Sequence, residues 1–307
     1  MKTIIIVICG ATATGKTRLA VALAEHLNTE IVSADSMQIY KDMDIGTAKP
    51  THAEMRCIHH HMINVVAPTD FFSVGKYVYM AEACIDKITA KGKTPILCGG
   101  TGMYIDTLLG NMHLSGQERD EEYREYLYNL ADEKGKEYLL GLLCEVDAGA
   151  ALKLHPNDLK RVIRALEVYK ITGRTQAENN NTISITNNKY NPMYVELSYE
   201  NRETLYEKIN LRVDVMIKNG LIAEVENLIK AGVTVEHTAM QAIGYKEIAE
   251  YLQGDIDIDA AIEKIKQESR RYAKRQQTWF RRNKDINRLY MDALDFDEIL
   301  KATVRLL

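Results

Sequence analysis

Residues 3–27 read TIIIVICGATATGKTRLAVALAEHL, and this stretch decides the fold. Ile4–Cys9 is a short β-branched apolar run, which predicts a buried strand. Lys16–Leu27 sets Leu19, Ala20, Leu23 and Leu27 on one helical face, with Asn28 as the stop. Between strand and helix, Gly10-Ala11-Thr12-Ala13-Thr14-Gly15-Lys16-Thr17 fits G-x-x-x-x-G-K-[ST]. Two glycines let the backbone wrap an anion, so that successive N–H groups point inward and the following helix adds its positive end. Lys16 then bridges phosphate oxygens, and the Thr17 hydroxyl is a ligand for Mg2+. The stretch predicts a diphosphate-binding loop.

Working outward, Glu30–Ser33 reads as a second strand, 73–91 as a helix and Pro95–Cys98 as another buried strand. Strands alternating with helices imply parallel βαβ units, hence an α/β core of the phosphate-loop type. Ligands of such sheets gather outside the carboxyl ends of the strands. Gly10–Thr17, Asp35 and Thr101 should therefore converge on one crevice. Taken alone, Asp35 and Thr101 are equally ordinary turn residues, since Asp before Ser and a hydroxyl after two glycines are common in turns.

From about residue 115 to 175 the chain reads as charged amphipathic helices without a strand. Glu178–Asn191 reads as a loop or exposed hairpin, and Pro192–Leu197 as a strand that rejoins the sheet. Helices follow at 202–218, 221–231, 244–253 and 256–283, then a short tail. The expected organisation is a catalytic core from 1–112 and 192–307, interrupted by a helical insertion over 113–191.

The phosphate loop does not say which diphosphate is bound, because unrelated transferases and hydrolases share it. No N-K-x-D guanine signature is present, and Pro95–Cys98 runs into Gly99-Gly100-Thr101 where a hydrolase would place a Mg2+-holding Asp. A switch GTPase is thereby disfavoured.

The chain has 307 residues, 46% hydrophobic and 27% charged, which fits a globular protein and excludes disordered and membrane-spanning classes. Ile4–Cys9 is too short to span a bilayer or to form a signal-peptide core, so no membrane partner is expected. Five scattered cysteines without a repeated C-x-x-C suit a reducing cytoplasm. Cys57 with His59, His60 and His61 lacks the spacing that lets several side chains converge on one ion. A monomer is the default expectation.

The net charge of −4 argues against nucleic acid only globally. Between Gln267 and Arg288 stand eight basic residues and two acidic ones. Arg270, Lys274 and Arg281 recur near helical spacing, while Tyr272, Gln276 and Trp279 line another face.

These residues resemble the bacterial tRNA dimethylallyltransferases, or tRNA isopentenyltransferases. The resemblance rests on the phosphate loop and on Ser33-Ala34-Asp35-Ser36-Met37-Gln38-Ile39-Tyr40 followed by Asp44-Ile45-Gly46-Thr47-Ala48-Lys49. It extends to Gly99-Gly100-Thr101-Gly102, His155-Pro156-Asn157-Asp158, Ala242-Ile243-Gly244-Tyr245-Lys246-Glu247 and Lys274-Arg275-Gln276 with Thr278-Trp279-Phe280. Ala11 departs from the proline common in the family's loop, and Ala67-Pro68 from its usual Asp-Pro.

The resemblance implies transfer of a dimethylallyl group from dimethylallyl diphosphate to N6 of adenosine 37 in the tRNA anticodon stem-loop. It gives Asp35 the role of general base, with Thr101, Lys16 and Arg212 at the diphosphate. It also implies tRNA contacts from Asp35, Ser36, Met37, Gln38 and Thr101, from Arg124, and from Lys160, Arg161, Val162, Ile163 and Arg164. Gly244, Tyr245, Lys246, Lys274 and Arg275 complete that set. The target base must be flipped out of its stack to reach such a crevice, and the family's helical insertion closes against the RNA. Two other readings stand beside this one: a small-molecule kinase with Asp35 as base, and a nucleotide-dependent RNA-binding module, in which ATP would occupy the loop.

Overall fold

The computed structural model describes residues 2–110, 120–182 and 189–307. The chain divides into two compact units, one of Met1–Asn111 with Asn188–Leu307 and one of Met112–Asn187.

The first unit begins with β1 (Thr3–Gly10), α1 (Lys16–Leu27), β2 (Ile31–Ser33), α2 (His52–Met55) and β3 (His60–His61). It continues with α3 (Val74–Ala90), β4 (Ile96–Gly99) and α4 (Gly102–Leu108). The second unit holds α5 (Glu121–Lys134), α6 (Lys136–Val146), α7 (Ala148–Ala151), α8 (Leu159–Thr172) and α9 (Gln176–Thr182). The chain returns to the first unit through β5 (Tyr190–Ser198), α10 (Arg202–Lys218), α11 (Leu221–Lys230) and α12 (Tyr245–Gln253). It then forms α13 (Ile258–Phe280), β6 (Asn287–Tyr290) and α14 (Phe296–Arg305).

The six strands are all parallel, in the order β3-β2-β4-β1-β5-β6. β1 is central because its side chains are apolar on both faces, as a strand covered on both sides requires. Ile5, Val7 and Cys9 enter one core with Val32, Leu97 and Tyr77. Ile6 and Ile8 enter the other with Leu19, Leu23 and Val195. Each fully buried isoleucine stabilises the fold by about 1.5–3 kcal/mol. From β1 the chain runs to β2 on one side, with β4 between them, and later to β5 on the other. The phosphate loop thus lies at a strand end where connections diverge, the usual place for a ligand.

The expected strands and long helices are present; α2, β3 and α4 are additional, and three further places differ. Residues 176–182 form α9 where a loop was expected, because Thr175 and Glu178 make a reciprocal cap and Asp147 Oδ2 accepts the Gln176 N–H at 2.7 Å. Residues 183–188 of the Glu178–Asn191 loop reading lie outside the described residues. β5 starts at Tyr190, two positions before the expected Pro192, pairing Tyr190 with Thr3. The expected tail folds as β6 and α14: the strand is a half-buried edge, and the helix covers α1 with Ile299 under an Asp295–Glu298 cap.

The helical unit has its own core, built from Leu127, Leu139, Leu143, Val162 and Ile163 among others. Glu167 is fully buried beside it. Burial alone would raise its carboxyl, but the Arg124 and Arg164 guanidinium groups hold it at about 2. Among the described residues no helix is long and apolar enough to cross a membrane.

Candidate active site

A cavity of about 770 Å3 opens at the carboxyl ends of β1, β2 and β4. All of its lining residues belong to the first unit. The phosphate loop forms its floor. Gly10 has φ +134°, and a Cβ there would lie 2.3 Å from Leu197 O, so only glycine lets the loop leave the sheet at this point. Ala13 takes φ 62° and Gly15 φ 83°, turning the backbone into the concave arrangement that presents N–H groups to an anion. The Thr14 hydroxyl donates to Ala11 O at 2.9 Å and stiffens the turn.

Two half-buried cations, Lys16 and Arg212, line this cavity, neither with a carboxylate within salt-bridge distance among the described residues. Lys16 donates to Ala11 O. Burial pushes its ammonium down to about 8, the Arg212 charge acts in the same sense, and Asp35 opposes both. Arg212 comes from α10, which presents it inward rather than to solvent. Its guanidinium donates only long bonds to neutral oxygens, to Thr12 Oγ1 at 3.3 Å and Ala48 O at 3.5 Å. Burial lowers its pKa, while Asp35 pulls it back up. An arginine stays charged in such a place, and a buried charge without a countercharge is unfavourable. The pair is therefore arranged for an anion.

Asp35 follows β2, and Asp35 Oδ1 accepts the N–H groups of Met37 at 2.9 Å and Gln38 at 3.3 Å. This turn fixes the carboxylate at the cavity wall and leaves Oδ2 for a proton. Thr101 follows β4, and its hydroxyl accepts the Ser36 N–H at 3.0 Å. The phosphate loop, Asp35 and Gly99-Gly100 line one cavity, and Thr101 stands next to it, tied to Ser36.

Gln38 spends its side-chain amide on Thr47 O and Ala48 O, both at 3.3 Å, so it braces the 44–49 loop as well as facing the cavity. That loop is tied by Lys49, whose ammonium bonds Tyr40 O, Asp44 Oδ1 and Asn64 Oδ1. Ser36 and Met37 also line the cavity.

The expected tRNA contacts divide by exposure. Lys160 and Lys274 are exposed, as are Arg161 and Arg275, and Arg275 lies at the cavity. Val162 and Ile163 are 0% and 1% exposed, so their side chains serve the helical core. Gly244 and Tyr245 are buried as well, with the Tyr245 hydroxyl donating to Glu224. Lys246 is half-buried against Glu247. Arg124 places Nε and Nη2 each 2.7 Å from Glu167, and Arg164 bonds the same carboxylate. Both hold the helical unit together, a use that a charged helix face does not reveal in sequence. In the histidine cluster, His61 Nε2 meets Glu30 Oε2 at 2.8 Å and His60 Nδ1 meets Ile58 O at 2.9 Å.

Three residues of this site had no role in the sequence reading. Tyr272 lines the cavity, its hydroxyl pushed up to about 12 by burial and the Asp35 charge. Gln276 is buried and bonds the phosphate loop. Glu224 clamps the 44–46 backbone. The 272-276-279 helical spacing was the available signal for the first two; nothing local marks Glu224.

A parallel sheet with a phosphate loop, a strand-end carboxylate and two half-buried cations without a carboxylate partner defines a phosphate-loop α/β protein with an anion site beside a candidate base. Comparison with known proteins narrows the class. The IPP transferase family model matches residues 38–283. A tRNA dimethylallyltransferase from Caldanaerobacter subterraneus subsp. tengcongensis is 51% identical over 301 residues, covering 98% of this chain and 96% of that one. One from Thermoanaerobacter sp. is 47% identical over 305 residues, covering 99% and 97%. The crystal structure of a Bacillus halodurans tRNA isopentenylpyrophosphate transferase superposes with a TM-score of 0.73 at 40% identity, covering 98% of this chain and 94% of that one. A eukaryotic dimethylallyltransferase, captured in crystallographic snapshots acting on tRNA, reaches 0.82 at 30% identity, covering 98% and 77%. The chain belongs to the tRNA dimethylallyltransferase family. That membership decides against the kinase and the non-catalytic module.

Proposed function

We propose that this enzyme transfers the dimethylallyl group of dimethylallyl diphosphate to N6 of adenosine 37 in tRNA. The observation that carries the reading is the pair Lys16 and Arg212, cations facing the phosphate loop and lacking a carboxylate partner, on the same cavity as Asp35. The N6 lone pair attacks the allylic C1, the C1–O bond breaks, and the pair of electrons leaves on diphosphate. The N6 proton passes to the Asp35 carboxylate as the new bond forms. Lys16, Arg212 and the loop amides stabilise charge on the departing oxygen, an electrostatic contribution fixed before reaction.

Mg2+ takes one or two protein oxygens together with phosphate oxygens and water. The Thr17 hydroxyl lines the cavity beside Lys16 and suits that donor set once a diphosphate is present. A Mg2+ ion held there would neutralise part of the diphosphate charge.

The target adenosine enters the cavity flipped from its stack. Exposed Lys160, Arg161, Lys274 and Arg275 are the phosphate contacts of the anticodon stem-loop in this reading. A tRNA substrate supports the expectation of a cytoplasmic location. A monomer is the assembly assumed in this reading.

The test is incubation of purified protein and unmodified tRNA with dimethylallyl diphosphate or with ATP, followed by nucleoside mass spectrometry. Prenylated adenosine is expected with the allylic donor alone. Its absence overturns the proposal.

A further inference from the structure

Helix α13 packs Ala273 near Ala11 of the phosphate loop and hydrogen-bonds that loop through Gln276. Gln276 is 5% exposed, and its carboxamide is used at both ends. Oε1 accepts the Thr12 N–H at 2.9 Å, and Nε2 donates to Gly100 O at 2.9 Å. The ends of β1 and β4 are thus joined through a residue far away in sequence. The contact is close enough that a Cβ on Gly100 would lie 2.2 Å from Gln276 Nε2. One helical turn on, Trp279 Nε1 donates to Asp106 Oδ2 at 2.7 Å, and a Cβ on Gly102 would meet the indole at 2.2 Å. Two glycines of Gly99-Gly100-Thr101-Gly102 therefore make room for this face of α13.

Thr12 is held from two sides, by Gln276 at its amide and by Arg212 at its hydroxyl. An amide whose hydrogen is already bonded to the protein does not turn toward a ligand. The N–H groups from Ala13 to Lys16 are then the ones left to face an anion, and Gln276 fixes where they point. The carboxamide does this without a charge. A carboxylate in its place would stand beside a departing anion and oppose Gly100 O. Another face of the same helix exposes Lys274 and Arg271.

We propose that Gln276 is a positioning residue for the leaving diphosphate: it sets the phosphate loop through Thr12 and fastens that loop to the basic helix. This rests on the function proposed above. Loss of the carboxamide leaves the Thr12 N–H and Gly100 O without partners in a buried place, so the loop must reorient.

The test uses Gln276→Met, which keeps length and removes both hydrogen bonds, and Gly100→Ala, which displaces the same carboxamide without altering residue 276. Inhibition by inorganic diphosphate, KM for dimethylallyl diphosphate, kcat, tRNA affinity by filter binding and thermal unfolding are measured for each. Both variants are expected to raise the diphosphate inhibition constant by about tenfold or more, the effect of one lost interaction of ordinary size. KM for the allylic donor should rise and kcat fall, with tRNA affinity kept within about threefold. Where Gln276→Met does not fold, Gly100→Ala reads the same contact. Wild-type inhibition by diphosphate that both variants retain unchanged, with activity lost only in step with thermal stability, overturns the positioning role alone. Wild-type protein that neither transfers the prenyl group nor binds diphosphate overturns the function and this role together.

Discussion

The Glu224 carboxylate and the Ile45 amide lie 2.7 Å apart, although 179 positions separate them in the chain. The same carboxylate accepts the N–H groups of Asp44 at 2.9 Å and Gly46 at 3.1 Å, and the Tyr245 hydroxyl. One side chain of α11 thus fixes the backbone of a loop that lines the cavity. Gly46 is required there, because a Cβ would stand 2.4 Å from the Tyr245 ring. Glu224→Ala should lower stability by about 2–4 kcal/mol, since several hydrogen bonds to a charged acceptor are lost at once. Urea unfolding measures this, and a change below about 0.5 kcal/mol would show that the clamp contributes nothing.

Asp35→Asn keeps the shape of the side chain and its Oδ1 contacts to Met37 and Gln38, and removes its basicity. Turnover should fall by about 10²–10⁴-fold, the usual range for a lost general base. Affinity for tRNA should remain. Single-turnover kinetics and filter binding separate the two, and a parallel loss of affinity would make Asp35 chiefly structural.

Lys16, held at about 8, gives diphosphate binding a pH dependence. Below 8 the ammonium is charged and attracts the anion; as pH rises through 8 the charge is lost and affinity should fall. Stability of the ligand-free protein moves the other way. Between about 8 and the ordinary 10.5 the unfolded chain binds more protons than the folded one, so Lys16 contributes a rise in stability with pH across that window. Lys16→Met should remove both trends, which calorimetric titration with inorganic diphosphate and thermal melts from pH 7 to 10 would reveal.

The basic residues of the helical unit should divide by role. Arg124→Met leaves the buried Glu167 short of its bidentate partner and should destabilise that unit by about 3–5 kcal/mol. Replacing exposed Lys160 and Arg161 by alanine should leave stability unchanged and lower the salt slope of tRNA binding by about two, one per phosphate contact. Salt-dependent filter binding beside thermal melts reads both. An unchanged slope removes this surface from the RNA interface.

The helices and strands that sequence made legible are those whose own side chains carry the pattern. Ile4–Cys9 and the periodic Leu19 and Leu23 needed no partner to be read. α14 and β6 were missed because Asn287, Arg288 and the charged turns of 296–305 become structural only against β5 and α1. α9 was missed although Thr175 and Glu178 spell a cap, since the asparagines that follow outweighed it.

The site divides along the same line. The phosphate loop is local chemistry, a run of eight residues whose glycines and lysine determine an anion cradle wherever they occur between strand and helix. That stretch, with its neighbouring strand ends, was sufficient from sequence alone to expect Asp35 on the same cavity. Tertiary structure alone decided which charges are free to serve. Arg124 and Arg212 are both helical arginines in sequence, yet one lies against a buried glutamate and the other against neutral oxygens. Desolvation makes that difference decisive, because a buried charge must find its counterion either within the fold or in the substrate, and periodicity does not record which.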